Sequence, residues 1–223
     1  MTIVHHTAIA PTDVLGSVKQ VLTNDTGFHQ IAIVSLARVP ILTCECNGIT
    51  IDVSVNNKHA VDTTEWVNEH YDACMKNTLV LLKYWFVIRR HNNVYTGGLG
   101  AYALALMLYA AVCMTAAYTD SPLSMLNAFF SFWANWHCME DALDVATLER
   151  RSKKGLGRVV ANQPYLPCIT DPMNKDNDVT KQAYDMPRIQ HSMQQAAAEL
   201  RMHGNIGELL GIHTQTLVHY DSE

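Results

Sequence analysis

At 223 residues and 48% hydrophobic, the chain is long enough to bury a sizeable core as one domain or two small ones. A net charge of −5 excludes the global basic field of a tight duplex binder, so any nucleic-acid contact must use local patches. The six cysteines are scattered without a C-x-x-C pair, which argues against a disulfide framework or a cysteine zinc site and suits a reducing compartment.

In chain order, the opening MTIVHHTAIAPTDVLGSVKQ lacks a basic stretch followed by an apolar run, so no secretory signal is expected. Val14 to Leu22 reads as a short amphipathic helix. Phe28 to Leu36 and Pro40 to Cys46 read as strands, and Asn47-Gly48 is a hairpin turn signal. Ile49 to Val55 alternates cleanly, with Ile49, Ile51, Val53 and Val55 on one face and Thr50, Asp52 and Ser54 on the other. Asp52 is therefore expected on the polar face of a strand that pairs back on Pro40 to Cys46.

From Asp62 onward the pattern is helical, over Thr63 to Met75, Thr78 to His91, Ala101 to Tyr118, Ser124 to Asn135, Met139 to Ser152 and Pro187 to His203, the last closed by Gly204. The uncharged run Tyr102 to Tyr118 is alanine-rich and not flanked by Lys or Arg, so a buried core helix is expected rather than a membrane span. Between Gly155 and Tyr184 a long loop is expected, punctuated by Pro164, Pro167 and Pro172.

Lys83 stands alone as a charge in the apolar stretch Leu79 to Ile88, which Arg89, Arg90 and His91 close with positive charge. The turn Thr96-Gly97-Gly98-Leu99-Gly100 then feeds a second helix. Two readings stand on these residues. In one, Lys83 and the glycine turn grip a phosphate, because a glycine-rich turn before a helix offers backbone N–H groups to an anion. In the other, Lys83 snorkels or pairs with a carboxylate and the glycines only make a corner. The basic cluster Arg150, Arg151, Lys153, Lys154 and Arg158 is likewise either an RNA-backbone contact or a solvated helix end. Phe129 to Phe132, Trp133 and Trp136 recur at helical spacing and read as core, and His137 and His191 lack a metal-ligand pattern.

The order ITIDVSVNN, then LLKYW…RRHNNVYTGGLGAYAL, then ITDPMNKDNDV strongly resembles the noncanonical poly(A) polymerases, polymerase-β-like terminal nucleotidyltransferases grouped with the terminal uridylyltransferases. The resemblance runs from about Val14 to about Met193. It implies an α+β fold, with a partial palm sheet over residues 1–56 and a helical central, poly(A)-polymerase-associated domain over residues 57–223 that contains a nucleotide-recognition loop at 164–184. It assigns Asp52 as a catalytic, metal-binding carboxylate for Mg²⁺ or Mn²⁺ and Lys83 as a triphosphate contact. Gly97 and Gly98 become the turn that brings the triphosphate to a helix start, Tyr102 the aromatic on which the base stacks, and Asp171 and Asn177 base neighbours. Asparagine at 177, where uridylylating relatives commonly carry histidine, tilts the substrate toward ATP.

Such residue types fit the chemistry, since phosphoryl transfer depends on in-line positioning and on two cations held by carboxylates. The implied activity is addition of AMP from ATP to an RNA 3′ end, with an intracellular, nuclear location, RNA-processing proteins as partners and no membrane.

The chain also departs from that pattern. The family places Gly-Ser and then a strand bearing Asp-x-Asp ahead of the third carboxylate. Here Gly16-Ser17 is followed only by Asp25 in Asp25-Thr26-Gly27, and the other internal Asp-x-Asp, Asp176 to Asp178, belongs to the loop. Val87 replaces a second phosphate lysine, Ala101 a serine, and Thr180-Lys181 a Gly-Arg pair. The first half of the palm is thus expected to be missing and the chain by itself to be inactive. The alternative is a catalytically dead nucleotide- or RNA-binding scaffold of an RNA-processing complex.

Overall fold

The computed structural model describes residues 1–4, 9–37, 39–118 and 120–212. It is α+β and divides into two units, Met1–Glu69 and His70–Glu223.

In the first unit, β2 (Phe28–Val34), β3 (Ile41–Cys46) and β4 (Ile49–Val55) form an antiparallel meander, and β1 (Thr2–Ile3) adds parallel to β4, giving the order β1-β4-β3-β2. Asn47 and Gly48 both take positive φ, 51° and 75°, the geometry of a two-residue hairpin turn. Helix α1 (Pro11–Thr23) is longer than expected at both ends, because Pro11 supplies a favourable first helical residue. It buries Leu15 against Leu42, Cys44, Val53 and Val55. The expected alternation of β4 holds only in part: Val53 and Val55 are buried and Ile51 half-buried, but Ile49 at the hairpin tip is exposed, and Ser54 of the expected polar face is buried beside β1, where its hydroxyl meets that of Thr2. The sheet is mixed rather than purely antiparallel, since β1 runs parallel to its neighbour.

The expected single helix Thr63 to Met75 is two helices. Helix α2 (Lys58–His70) stops, and α3 (Ala73–Ile88) starts anew because Asp72 caps it, its carboxylate accepting from the Met75 N–H at 2.7 Å. An N-cap carboxylate satisfies an orphan N–H, and here it overrides continuous apolar spacing.

Helices α4 (Ala101–Met114) and α5 (Pro122–Ala134) build the core of the second unit with α3. Trp85, Phe86, Phe129 and Phe130 meet edge-to-face at its centre. Helix α4 ends before Tyr118 because the chain turns at Ala116 with φ 53°. Among the described residues no helix is long and apolar enough to cross a membrane. Helix α6 (Met186–His203) ends as expected at Gly204, which is left-handed at φ 59°. A short helix, α7 (Ile206–Leu209), follows.

The expected helix Met139 to Ser152 is instead a hairpin of β5 (Asp141–Asp144) and β6 (Glu149–Ser152). Its cross-strand ion pairs join Arg150 with Asp141, which helical spacing would set on opposite faces, and Arg151 with Asp144 (3.4 Å). The expected loop Gly155 to Tyr184 contains β7 (Ile169–Asp171) and β8 (Asn174–Asp178), completing a second sheet of order β6-β5-β7-β8. Parallel pairing of β5 with β7 explains why the chain abandons the helix: Asp141 to Asp144 are buried between two neighbouring strands.

Candidate functional site

At the end of β7, Asp171 is 0% exposed, and a buried carboxylate needs donors. It has three. The Tyr102 hydroxyl, in the first turn of α4, donates to Oδ1 at 3.0 Å; the Met173 N–H donates to the same oxygen at 3.0 Å; and the Asn177 amide donates to Oδ2 at 3.0 Å. Burial, reinforced by the Asp171 carboxylate, raises the Tyr102 phenol well above the ordinary tyrosine range, so it stays a donor. Tyr102, Asp171 and Asn177, three of the residues singled out in the sequence, are thus one cluster within the second unit.

The glycine turn lies between α3 and this cluster in the chain. Gly97 is left-handed at φ 84°, and a Cβ there would lie 2.6 Å from the Tyr184 ring. At Gly98 a Cβ would lie 2.3 Å from the His91 carbonyl oxygen. Both positions exclude a side chain by close approach. The turn's own N–H groups are already occupied: Gly98 donates to the Asn93 carbonyl and Leu99 to the His91 carbonyl, each at 2.8 Å. Donors for an anion therefore belong to the start of α4, where Gly100 caps without a side-chain hydrogen bond.

Lys83 is half-buried on α3, and no hydrogen bond or ion pair holds its ammonium among the described residues. Helix α3 is not buried on every face. Leu79, Leu82, Trp85 and Phe86 enter the core, while Val80, Tyr84, Val87 and Ile88 are exposed.

In the first unit, Asp52 is exposed on the polar face of β4, and its carboxylate accepts from the Thr43 hydroxyl across the strand pair at 2.6 Å. The Met1 ammonium donates to the Asp52 carbonyl at 2.7 Å. Gly16 and Ser17 lie inside α1, where the Ser17 hydroxyl donates to the Asp13 carbonyl. Asp25 accepts from the Gly27 N–H, and Asp178 accepts from Thr180 and the Ile169 N–H, so both act in turns and strand ends. No group of three or more His, Cys, Asp or Glu able to hold a metal occurs among the described residues. One carboxylate does not fit a two-cation site.

The basic cluster does not lie at a helix end; Arg150, Arg151 and Lys154 are exposed on and after β6, while Lys153 turns into the fold. Arg150 and Arg151 are ion-paired on β6, and Arg150 also lies over the Trp136 ring at 5.5 Å. Lys153 is 1% exposed; its ammonium donates to the carbonyls of Cys138 (2.7 Å), Pro164 (2.7 Å) and Leu166 (2.6 Å). Arg158 donates to the Thr170 hydroxyl at 2.9 Å and the Lys175 carbonyl at 2.5 Å. Sequence reasoning missed both roles. Two adjacent lysines with opposite burial, 153 and 154, carry no local signal of which one turns inward. Trp133 and Trp136 are core, as expected, the Trp133 indole donating to the Met107 carbonyl.

No family model matches the chain. Among curated proteins, it is 31% identical over 193 residues to the poly(A) RNA polymerase cid12 of Schizosaccharomyces pombe, covering 82% of this chain and 56% of that protein. It is 26% identical over 176 residues to the poly(A) RNA polymerase CID14 of Cryptococcus neoformans, covering 73% of this chain and 23% of that protein. The chain thus spans from about a quarter to just over half the length of these relatives. Among solved structures, the polymerase core of TRAMP, an RNA surveillance complex, superposes with a TM-score of 0.73 at 20% identity, covering 94% of this chain and 70% of that one. The Cid1 poly(U) polymerase bound to Mg 3′-dATP superposes with a TM-score of 0.70 at 18% identity, covering 94% and 79%. The motif order in the sequence and the curated relatives agree in their likeness to the noncanonical poly(A) polymerases, and the fold is that of the solved polymerase cores.

Proposed function

We propose that the chain is the nucleotide-binding share of an RNA 3′-end nucleotidyltransferase that adds AMP from ATP. The observation that carries this reading is the buried Asp171 carboxylate holding Tyr102 and Asn177. An ionised carboxylate only accepts, so Asn177 must turn its amide nitrogen toward Asp171 and keep its carbonyl oxygen for a ligand. A free acceptor suits the exocyclic amine of adenine and not the O4 carbonyl of uracil. The Tyr102 ring, fixed through its hydroxyl, offers a face to the base, a contact worth about 1–3 kcal/mol. Lys83 and the first N–H groups of α4 supply positive potential for the triphosphate.

Asp52 by itself does not fit a pair of Mg²⁺ or Mn²⁺ ions, and residues 1–223 are proposed to bind and orient the nucleotide without turning it over. The register of β1 on β4, Thr2 opposite Ser54 and Ile3 opposite Val55, would carry any segment joined ahead of Met1 alongside Asp52. Carboxylates on such a segment would meet Asp52 there.

The experiment is primer extension by the purified 223-residue chain with RNA, ATP and Mg²⁺ or Mn²⁺, beside a direct measurement of ATP binding. ATP is expected to bind weakly with no extension. Joining a relative's Gly-Ser…Asp-x-Asp segment ahead of Met1 is expected to restore adenylation, and Asp52→Ala to abolish it again. Robust tail synthesis by the unmodified chain would overturn the incomplete-site argument. Failure of both ATP binding and the graft would leave the second reading, an RNA-processing scaffold, which the lone carboxylate at Asp52 favours.

A further inference from the structure

We propose that Lys153 and Arg158 are positioning residues for base recognition, acting through the β7–β8 hairpin to set Asp171 and Asn177. This rests on the reading of that hairpin as the nucleotide-recognition segment. The hairpin is too small to hold its own shape. β7 has three residues and meets β5 at two positions, Leu143 opposite Ile169 and Asp144 opposite Thr170, and its pairing with β8 is interrupted between Thr170 and Asp171.

Arg158 closes that interruption. One guanidinium nitrogen donates to Thr170 of β7 and the other to the Lys175 carbonyl of β8, so a single planar fork spans both strands. Thr170 adjoins Asp171, and Lys175 lies two residues before Asn177 on the same strand. The spacing of Asp171 from Asn177 is therefore the spacing that this fork bridges.

Lys153 fixes the approach to the hairpin. Its three ammonium donors are all used on carbonyls, two of them, Pro164 and Leu166, in the segment leading into β7, and the third, Cys138, just ahead of β5. The backbone N–H of Lys153 donates to the Glu140 carbonyl, tying the same residue to the β5 side. A buried lysine with carbonyl partners and no carboxylate is costly as a stability device. It is explained if the geometry it imposes on residues 164–171 is needed. All three ammonium donors of Lys153, and two of the three guanidinium nitrogens of Arg158, are engaged within the fold.

The test is calorimetric titration of the full chain with ATP, UTP and inorganic tripolyphosphate, for the unsubstituted protein and for Arg158→Met, Arg158→Lys and Lys153→Met. Arg158→Met and Lys153→Met are expected to weaken ATP about tenfold, the effect of one lost charge-assisted contact. They should also bring the ATP-to-UTP affinity ratio toward one, with tripolyphosphate affinity unchanged. Arg158→Lys keeps the charge but reaches only one strand, and is expected to lose discrimination with the fold intact. Unchanged ATP affinity and ratio in Arg158→Lys and Arg158→Met would overturn the inference alone. A parallel fall in tripolyphosphate binding would overturn it in favour of a merely structural role. No ATP binding by the unsubstituted chain would bring down the nucleotide reading and this inference with it.

Discussion

Tyr102→Phe removes one oxygen atom and nothing else. The lost hydroxyl is one of three donors to Asp171, leaving the Met173 N–H on Oδ1 and the Asn177 amide on Oδ2. A hydrogen bond to a charged group contributes about 1.5–3 kcal/mol, and because Tyr102 is only half-buried the lower end applies. For a unit the size of His70–Glu223, about 1.5 kcal/mol corresponds to a fall in melting temperature of roughly 3–6 °C. Circular dichroism melts at neutral pH on the full chain read this directly. ATP affinity is expected to fall by less than in Tyr102→Ala, which also removes the ring. A melting temperature equal to that of the unsubstituted chain would refute the idea that the phenol stabilises the buried carboxylate.

Asn177→His places a ring N–H where the amide leaves an acceptor, and the ATP-to-UTP affinity ratio is expected to fall; an unchanged ratio in competitive titration would remove residue 177 from base selection. His91 is buried, with its Nε2 on the Ser192 hydroxyl; burial first, then the Arg188 and Arg89 guanidiniums, lower its pKa from 6.5, against the opposing pull of Asp185. The folded state therefore prefers the neutral ring and the unfolded chain binds the extra proton first, so stability is present above pH 6.5 and is lost as pH falls below it. Denaturation at neutral pH and in mild acid is expected to show a smaller acid-induced loss in His91→Gln, and equal losses would exclude His91 as the titrating group.

The parts of the molecule legible in sequence were those whose signal is local. The strand Ile49 to Val55, the Asn47-Gly48 turn and the Gly204 stop depend on backbone preference within a few residues, and each occurs where expected. The hairpin at β5 and β6 was illegible because its partner, β7, is remote in sequence, and Asp141 to Asp144 become a strand only through that pairing. The break at Asp72 shows the reverse failure, a local cap hidden inside continuous apolar spacing. At the site, Tyr102, Asp171 and Asn177 could be named from their motifs, but their common hydrogen-bond network required the fold. Lys153 and Arg158 were misplaced, because a charge run gives no sign that one member points at backbone carbonyls and another bridges two strands.

The parallel pairing of β5 with β7 also bears on the order in which the protein forms. The helices α3, α4 and α5 are each built from hydrogen bonds four residues apart and can form from their own residues. The pairing of Leu143 with Ile169 must first close the whole intervening segment, at an entropic penalty that local helices do not face. The recognition hairpin is thus expected to assemble on helices already formed. Binding of a nucleotide to Asn177 and Tyr102 would then complete the last step of folding as well as fill a site.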